Sequence, residues 1–188
     1  MLAGDVLMTT IMTGTLTHRS VFTWDVDTGK DVYHYLILKN NLDVPLTTGP
    51  VMVLQNGKPL SQDEMKYISA KAEGRLKLTQ TTDIRTNVIE KEIERRPEQR
   101  IYDVMYIPVV SQGQLVVENH RRETADVEIS WTVDGQVMEV TDDADVQSQA
   151  KADQGLNPKS SLKCTVKIEP GEQHTVTFTY LHYVRARA

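Results

Sequence analysis

Two groups of aspartates are the first residues in this chain that could do chemistry. One group is Asp25, Asp27 and Asp31, and the other is Asp142, Asp143 and Asp145. Carboxylate oxygens are the ligands that Ca²⁺ prefers, and a calcium site gathers about six to eight oxygens. Neither group follows the order of an EF-hand loop or ends in a suitably spaced glutamate. The six aspartates are therefore candidate metal ligands, although a solvated turn and a solvated acidic loop are the interpretations that we favour.

Asp27 also begins the sequence Asp-Thr-Gly, which occurs at the active sites of aspartic proteases. In those enzymes two neighbouring carboxylates share one proton, because like charges at close range cannot both ionise. This chain has a single copy of the sequence, so a homodimer would have to supply the second one. Lys30 follows where the proteases carry a small residue, and we expect an ordinary turn here.

The histidines and the cysteine give no pattern typical of a catalytic or zinc site. No two histidines have the spacing of a zinc-binding motif, and the five are His18, His34, His120, His174 and His182. Cys164 is the only cysteine, so no intrachain disulfide can form, and the redox compartment stays open. Because Cys164 lies among alternating apolar residues, we expect a small core side chain, not a nucleophile. The sequence therefore predicts no catalytic residue and no cofactor.

Charge and hydropathy narrow the range of partners. The formal net charge is −5, and the whole acidic excess lies after residue 100. Nucleic-acid binding needs a basic surface, and the pairs Arg95-Arg96 and Arg121-Arg122 lie beside glutamates. No apolar run approaches the roughly 20 residues of a membrane span. We therefore expect neither a nucleic-acid partner nor a membrane span in this chain.

Alternating residues near the C-terminus identify the fold class. The apolar members are Leu162, Cys164, Val166 and Ile168 before Pro170-Gly171, and Val176, Phe178 and Tyr180 after it. Side chains on a strand point to opposite faces with period two, so one face is apolar and the other polar. This pattern predicts an antiparallel β-hairpin that covers a core on one side and meets water on the other.

Turn residues bound further strand-like runs along the chain. These runs are residues 6–16, 20–26, 32–38, 51–55, 66–69, 75–79, 84–93, 101–109, 115–119, 127–133 and 136–141. Asn56-Gly57 predicts a tight turn, and Asp134-Gly135 predicts a two-residue hairpin. Residues 61–64 resemble a helix capping box and predict at most one helical turn. Residues 142–159 predict a long mobile loop, and we recognise no internal repeat.

The elements together predict an all-β protein of antiparallel β-sandwich architecture. We expect two small β-domains, residues 1–97 and 98–188, with a single intertwined β unit as the alternative. The second domain has the length of an immunoglobulin-like sandwich but lacks the disulfide. Trp131 shares the parity of Val127, Ile129 and Val133, so it should face the core of this domain.

Several stretches resemble a known bacterial family. Tyr-Leu-Ile-Leu-Lys-Asn-Asn at residues 35–41, followed by Pro-Leu-Thr-Thr-Gly-Pro-Val at 45–51, resembles a passage of a C-terminal domain of unknown function. That domain occurs in mucoidy-inhibitor-like proteins. Gly-Gln-Leu-Val-Val-Glu-Asn-His-Arg at 113–121 is similar to its later strand, and residues 168–172 and 178–180 are similar to its closing hairpin. The resemblance covers roughly residues 30–188 and implies an all-β, non-catalytic module.

We therefore expect a non-enzymatic structural or interaction module that binds another protein or other domains of its own chain. The resemblance implies the C-terminal region of a larger bacterial envelope-associated, periplasmic or secreted protein. One alternative is a carbohydrate-binding module with an aromatic platform formed by Tyr33, Tyr35, Tyr180, His182 and Tyr183. Another is a hydrolase or metal-dependent site assembled from scattered Asp and His residues. The shortage of exposed aromatics disfavours the first, and the lack of a clustered acid, base and nucleophile disfavours the second.

Overall fold

The protein was analysed as a computed structural model of the 188-residue chain. The structure describes residues 10, 12–101, 103–149 and 156–186. Its strands are β1 (Thr17–Asp25), β2 (Val32–Lys39), β3 (Gly49–Gln55), β4 (Lys58–Met65), β5 (Glu73–Thr81), β6 (Ile84–Arg95), β7 (Gln99–Ile101), β8 (Val104–Asn119), β9 (Ala125–Asp134), β10 (Gln136–Val140), β11 (Asp145–Gln149), β12 (Lys159–Ile168) and β13 (Gln173–Arg185). A short 3₁₀ helix covers Val26–Thr28. The predicted all-β fold is confirmed, with 69% strand and 2% helix.

Within the part of the chain that the structure describes, the strands form three sheets. The first has the order β11-β12-β9-β1-β2-β5, and its β1 and β9 run parallel. The second has the order β10-β13-β8-β6, with the short β7 also paired to β8. The third contains only β3 and β4. Among the described residues, no helix has the length and apolar character that a membrane span requires.

The chain divides into two compact units. The small unit comprises Leu36–Leu76 and the described residues of Met1–Arg19, and the large unit comprises Ser20–Tyr35 and the described residues of Lys77–Ala188. This division differs from the boundary expected near Pro97. The strands on either side of Pro97, β6 and β8, are neighbours in one sheet, paired from Ile84↔Asn119 to Arg95↔Val109. Their hydrogen bonds therefore join the residues that the sequence assigned to separate domains.

The core of the large unit lies between its two sheets, as in a β-sandwich. Alternate side chains of β8, β9, β12 and β13 point inward, and β1, β2 and β6 add further members. The core residues are Phe22, Trp24, Val32, Ile84, Leu115, Val117, Ala125, Val127, Ile129, Trp131, Val133, Leu162, Cys164, Val166, Ile168, Val176 and Phe178. Trp131 is buried as predicted, and its ring centroid lies 5.4 Å from that of Phe178.

The prediction of a C-terminal hairpin is wrong about which strands pair and right about which face of each strand is apolar. β12 pairs with β9, which places Cys164 opposite Ile129, and β13 pairs with β8, which places Phe178 opposite Gly113. The turn at Pro170-Gly171 therefore crosses from one sheet to the other. The apolar side chains of the predicted hairpin are nevertheless buried, apart from Tyr180, which is half-buried. Alternation fixes which face is apolar, but two apolar faces can meet across a core as well as lie side by side.

The hairpin predicted at Asp134-Gly135 is wrong for the same reason. β9 pairs with β1 and β12, whereas β10 pairs with β13, so the two strands that flank this dipeptide lie in different sheets. A Cβ atom at Gly135 would lie 2.6 Å from the carbonyl oxygen of Leu181. Glycine therefore permits a close crossing of the chain here.

Of the other local predictions, the tight turn is confirmed and three others differ from the structure. Asn56 and Gly57 have φ of 52° and 76°, which confirms the tight turn. The capping-box residues 61–64 lie in β4, because pairing with β3 overrides their helical propensity. Residues 66–69 form no strand apart from a bridge between Ile68 and Leu46. The predicted loop 142–159 contains β11, which pairs with β12 through Val146↔Leu162, and its residues 150–155 lie outside the described part of the chain.

Two predictions near the N-terminus and the centre of the chain also change. Residues 12–16 form no strand, and residues 6–9 and 11 of the strand predicted at 6–16 lie outside the described part of the chain. The runs predicted at 101–109 and 115–119 belong largely to a single strand, β8. Residues 110–114, which lie between the two predicted runs, belong to that strand as well.

A buried asparagine in the small unit ties together two turns. Asn40 follows β2, and its Nδ2 donates to the carbonyl oxygens of Val44, Ile68 and Ser69 at 2.9, 3.4 and 3.2 Å. Its Oδ1 accepts from the backbone N–H of Leu42 at 3.1 Å. The side chain thereby satisfies carbonyl groups that the turns would otherwise leave buried without a donor.

Asn119 makes the same contacts in the large unit. Its Nδ2 donates to the carbonyl oxygens of Glu123, Ile168 and Glu169 at 2.9, 2.9 and 3.3 Å. Its Oδ1 accepts from the backbone N–H of Arg121 at 3.0 Å. The sequence offsets to the first carbonyl and to the N–H are the same as for Asn40.

The equivalence extends along the turns that the asparagines contact. Ile68 is bridged to Leu46, six residues after Asn40, and Ile168 is paired with Ala125, six residues after Asn119. Three residues beyond each isoleucine the backbone has positive φ, 63° at Lys71 and 76° at Gly171. The two units therefore contain one repeated motif, which the sequence analysis did not recognise because few residues besides asparagine and isoleucine are shared.

Candidate functional site

The first aspartate group stabilises a turn. Asp25 Oδ1 accepts from the backbone N–H of Asp27 at 3.2 Å, at the start of the 3₁₀ helix. Asp27 Oδ1 accepts from the backbone N–H of Thr132 at 3.2 Å, and Asp31 Oδ1 accepts from Gln80 at 2.8 Å. Each carboxylate thus has its own protein donor. Within the described residues, no three His, Cys, Asp or Glu side chains are arranged to hold a metal ion.

The second aspartate group is likewise dispersed. Asp142 Oδ2 accepts from the Thr141 hydroxyl at 2.7 Å, and Asp145 Oδ2 accepts from Gln147 at 3.1 Å. Asp142 and Asp143 both have positive φ, 63° and 45°, where the chain leaves β10. Aspartate tolerates this conformation better than most residues, so the group shapes a turn.

Asp142 also brings a histidine and the cysteine into one environment, which the sequence did not predict. His174 Nε2 lies 2.8 Å from Asp142 Oδ1. Burial, together with the charge of Asp142, raises the pKa of the Cys164 thiol to about 11. Because the thiolate is the nucleophilic form, a thiol with this pKa is almost entirely unreactive at neutral pH. His174 and Asp142 are therefore in contact, and the cysteine is poorly suited to attack a substrate.

The remaining histidines of the large unit have separate partners. His34 stacks on Phe22 with ring centroids 4.7 Å apart and lies 3.0 Å from the Ser20 hydroxyl. Burial lowers the pKa of His34, and the nearby Arg121 lowers it further. His120 pairs with Glu118 at 3.1 Å. The structure does not bring these histidines together into a site.

The aromatic platform expected for carbohydrate binding is not assembled. Tyr180 packs against the core and stacks with Phe178 and His182, with ring centroids 6.1 and 5.2 Å apart. Its hydroxyl donates to the Glu90 carboxylate, and burial together with this contact raises the pKa of Tyr180 to about 12. Lys77 Nζ lies over the ring of Tyr33, 3.7 Å from its centroid. These rings are therefore engaged by the protein and do not form one exposed surface.

The small unit instead carries an exposed apolar surface on its two-stranded sheet. Met52, Leu54 and Leu60 are 56%, 55% and 42% exposed. Met52 and Leu54 share a face of β3, and Leu60 lies at the irregularity of β4 where the register shifts. We call these three residues the apolar hairpin face. The sequence held a signal for it, because residues 51–54 are all apolar and so cannot alternate with polar residues.

The large unit carries a groove on the outer face of its second sheet. The groove has a volume of about 500 Å³ and is lined by side chains of β8, β10 and β13 and by Thr141. Its lining includes Gln112, Met138, Glu139, Thr177 and Thr179. We call it the β10–β13 groove. It was not predicted, because it depends on the irregular pairing of these strands.

No protein-family model matches the chain, and no curated protein or solved structure is significantly similar to it.

Proposed function

We propose that this chain is a non-enzymatic interaction module whose apolar hairpin face binds an extended segment of a partner protein. The observation that carries the proposal is the exposure of Met52, Leu54 and Leu60 on one small sheet. Fully burying such a side chain contributes about 1.5–3 kcal/mol, so covering three half-exposed ones would contribute roughly 2–4 kcal/mol. Clustered exposed apolar side chains are typical of interaction sites.

The geometry of the sheet favours an extended segment as the occupant. Among the described residues β3 and β4 form a sheet of their own, so each strand has an unpaired edge. A peptide that adds as a third strand would pair with such an edge and lay alternate side chains on the apolar face. Pro50 in β3 and Pro59 in β4 have no backbone N–H and so cannot donate a hydrogen bond to an added strand. Pairing should therefore involve the part of each strand that follows its proline.

The size of the face disfavours a second copy of the chain. At about 25 cal/mol per Å², the free energies above correspond to roughly 80–160 Å² of apolar area. A stable protein–protein interface buries about 800 Å² on each partner. A short peptide segment matches the smaller area better than a folded domain does.

The high pKa of Cys164 supports a non-enzymatic role, because it leaves the one cysteine of the chain poorly suited to act as a nucleophile at neutral pH. The resemblance to the C-terminal domain of mucoidy-inhibitor-like proteins supports a place in the C-terminal region of a larger bacterial envelope-associated or secreted protein. The partner would then be another protein or another segment of that same chain.

We also propose that the large unit is an immunoglobulin-like sandwich. The neighbours β9, β12 and β11 follow the order of immunoglobulin strands B, E and D, and β10 lies beside β13 as strand C lies beside F. β8 occupies the place of strand G, although it precedes the others in the chain. This order of strands supports an interaction module, since such sandwiches commonly serve as binding domains.

Selection of short random peptides by display on the full chain tests the proposed binding. Peptides with alternating apolar residues should be enriched, and Leu54→Ser with Met52→Ser should weaken their binding about 10- to 30-fold, which is about 1.4–2 kcal/mol. Ile89→Ser is a matched control, because Ile89 is similarly exposed but lies on β6 in the large unit. The proposal is wrong if no such peptides are enriched, or if the control weakens binding as much as the double variant does.

A further inference from the structure

The β10–β13 groove lies in the large unit and takes no part in the peptide binding proposed for the small unit. We propose that this groove binds a short, neutral oligosaccharide. Its volume of about 500 Å³ falls within the ~300–1,000 Å³ range of small-molecule sites. The proposal rests on its shape, its unpaired polar groups and its charge.

A bulge in β10 creates the groove. Val137 pairs with Tyr180 and Glu139 pairs with Thr179, so the register shifts around Met138. Such a bulge bends the strand and redirects its side chains. Met138 is 51% exposed and lines the groove, so its side chain offers an apolar surface to the C–H groups of a sugar ring.

Polar groups line the groove in a row across three strands. Gln112 of β8 and Glu139 of β10 both lie beside Thr179 of β13 in the register. Neighbouring strands are about 4.8 Å apart, so the row spans about 10 Å, a length that suits two linked sugar rings. Thr177, also in the lining, adds a second hydroxyl two residues along β13.

These four side chains have no hydrogen-bond partner within the described part of the chain. Thr141 differs, because its hydroxyl accepts from the backbone N–H of Thr177 at 3.0 Å and donates to Asp142 at 2.7 Å. The free groups are an amide, two hydroxyls and a carboxylate, which together offer both donors and acceptors. This is the mixture that the hydroxyl groups of a sugar require, since each of them both donates and accepts.

The charge of the lining selects against other small ligands. Among the described residues that line the groove, Glu139 is the one ionisable residue and none is cationic. A phosphate, sulfate or carboxylate ligand would therefore meet repulsion and find no counter-charge. A neutral ligand with many hydroxyl groups meets neither difficulty.

Titration of the ¹⁵N-labelled full chain with cellobiose, maltotriose and chitobiose, followed by NMR, tests the inference. At least one sugar should give saturable shifts at the amides of Gln112, Thr177 and Thr179 below about 10 mM, and trilysine should not. Thr179→Val and Glu139→Gln should each weaken that binding at least about fivefold. Glu139 is exposed, so its variant tests binding even if Thr179→Val is poorly folded.

Thr175→Val is the matched control, because Thr175 also lies on β13 but outside the groove lining. It should leave the affinity for the sugar unchanged. The inference is overturned if no sugar in the panel gives saturable shifts at these amides, or if trilysine saturates the groove instead. It is also overturned if Glu139→Gln and Thr175→Val have equal effects. Peptide binding at the apolar hairpin face is a separate measurement, so either proposal can fail alone.

Discussion

The contact between Gly113 and Phe178 gives the sharpest test of the sandwich. Phe178 is 4% exposed and lies opposite Gly113 in the pairing of β8 with β13. A Cβ atom at Gly113 would lie 2.8 Å from Phe178 Cε2 and closer still to Cζ. The ring therefore occupies the space that a side chain at position 113 would need.

The two single variants should both lose stability, for opposite reasons. Phe178→Ala should lower the free energy of unfolding by about 3–5 kcal/mol, through lost transfer energy and the cavity left behind. Gly113→Ala should lower it by about 1–3 kcal/mol, because the added methyl group overpacks the site. Thr177→Ala, on the outer face, should change it by less than about 1 kcal/mol.

The double variant reverses the sign of one effect. Without the Phe178 ring the methyl group at position 113 has room, and alanine is about 0.5–1 kcal/mol better than glycine within a strand. Gly113→Ala should then stabilise the Phe178→Ala protein, so the coupling between the two changes is roughly 1.5–4 kcal/mol. Urea unfolding followed by circular dichroism measures all four proteins. If the two changes add within about 0.5 kcal/mol, while Thr177→Ala behaves as expected, the assigned register of β8 and β13 is wrong.

Three further predictions concern buried polar groups. Asn119→Ala and Asn40→Ala should each lower the free energy of unfolding by about 2–4 kcal/mol in urea melts, because buried carbonyl groups lose their donor; a loss below about 0.5 kcal/mol would contradict the repeated motif. Cys164 should react slowly with iodoacetamide at pH 8 in the folded protein, and fast alkylation would contradict its raised pKa. The raised pKa should stabilise the folded state below pH 9, and this stabilisation should be lost as the pH rises towards about 11. The Cys164→Ala variant should not show this pH-dependent loss. The lowered pKa of His34 should make its contribution to stability full above pH 6.5 and decline as the pH falls, so His34→Phe should flatten the acid limb of the stability curve.

The sequence predicts well which side chains of a strand are buried, and it predicts poorly which strands pair with one another. The period-two pattern placed Val176 and Phe178 inside, and both are buried. The same pattern is compatible with any neighbour that presents an apolar face, so it could not show that β12 and β13 belong to different sheets. The turn residues at Gly135 were ambiguous in the same way, because a dipeptide that suits a hairpin also suits a crossing between two sheets.

Local propensity fails where pairing over a distance decides the structure. Residues 61–64 fit a helix cap, but their backbone groups pair with β3 instead. The asparagine motif was invisible for a related reason, because Asn119 and Ile168 are 49 residues apart and meet only in the folded chain. The repeat becomes evident only when equivalent hydrogen bonds are compared.

The candidate sites were predictable only in part. Asp142 and Asp143 lie at a turn, whereas Asp145, which the sequence assigned to the same loop, begins β11; no spacing rule links Asp142 to His174, 32 residues away. The β10–β13 groove depends on a bulge at Met138, and bulges leave no reliable mark in a single sequence. The apolar hairpin face was the easiest of the three to predict from the sequence. Four consecutive apolar residues indicate a strand with apolar side chains on both faces, and one core cannot cover both.

Hydrogen exchange at the β3–β4 sheet tests the central claim most directly. The full chain would be measured by mass spectrometry with and without a peptide selected by display, and a scrambled version of that peptide is the control. Strand addition predicts that the selected peptide slows exchange within Gly49–Gln55 or Lys58–Met65 and leaves Lys159–Ile168 unchanged. Protection confined to the large unit, or equal protection by the scrambled peptide, would contradict the assignment of the apolar hairpin face as the binding site.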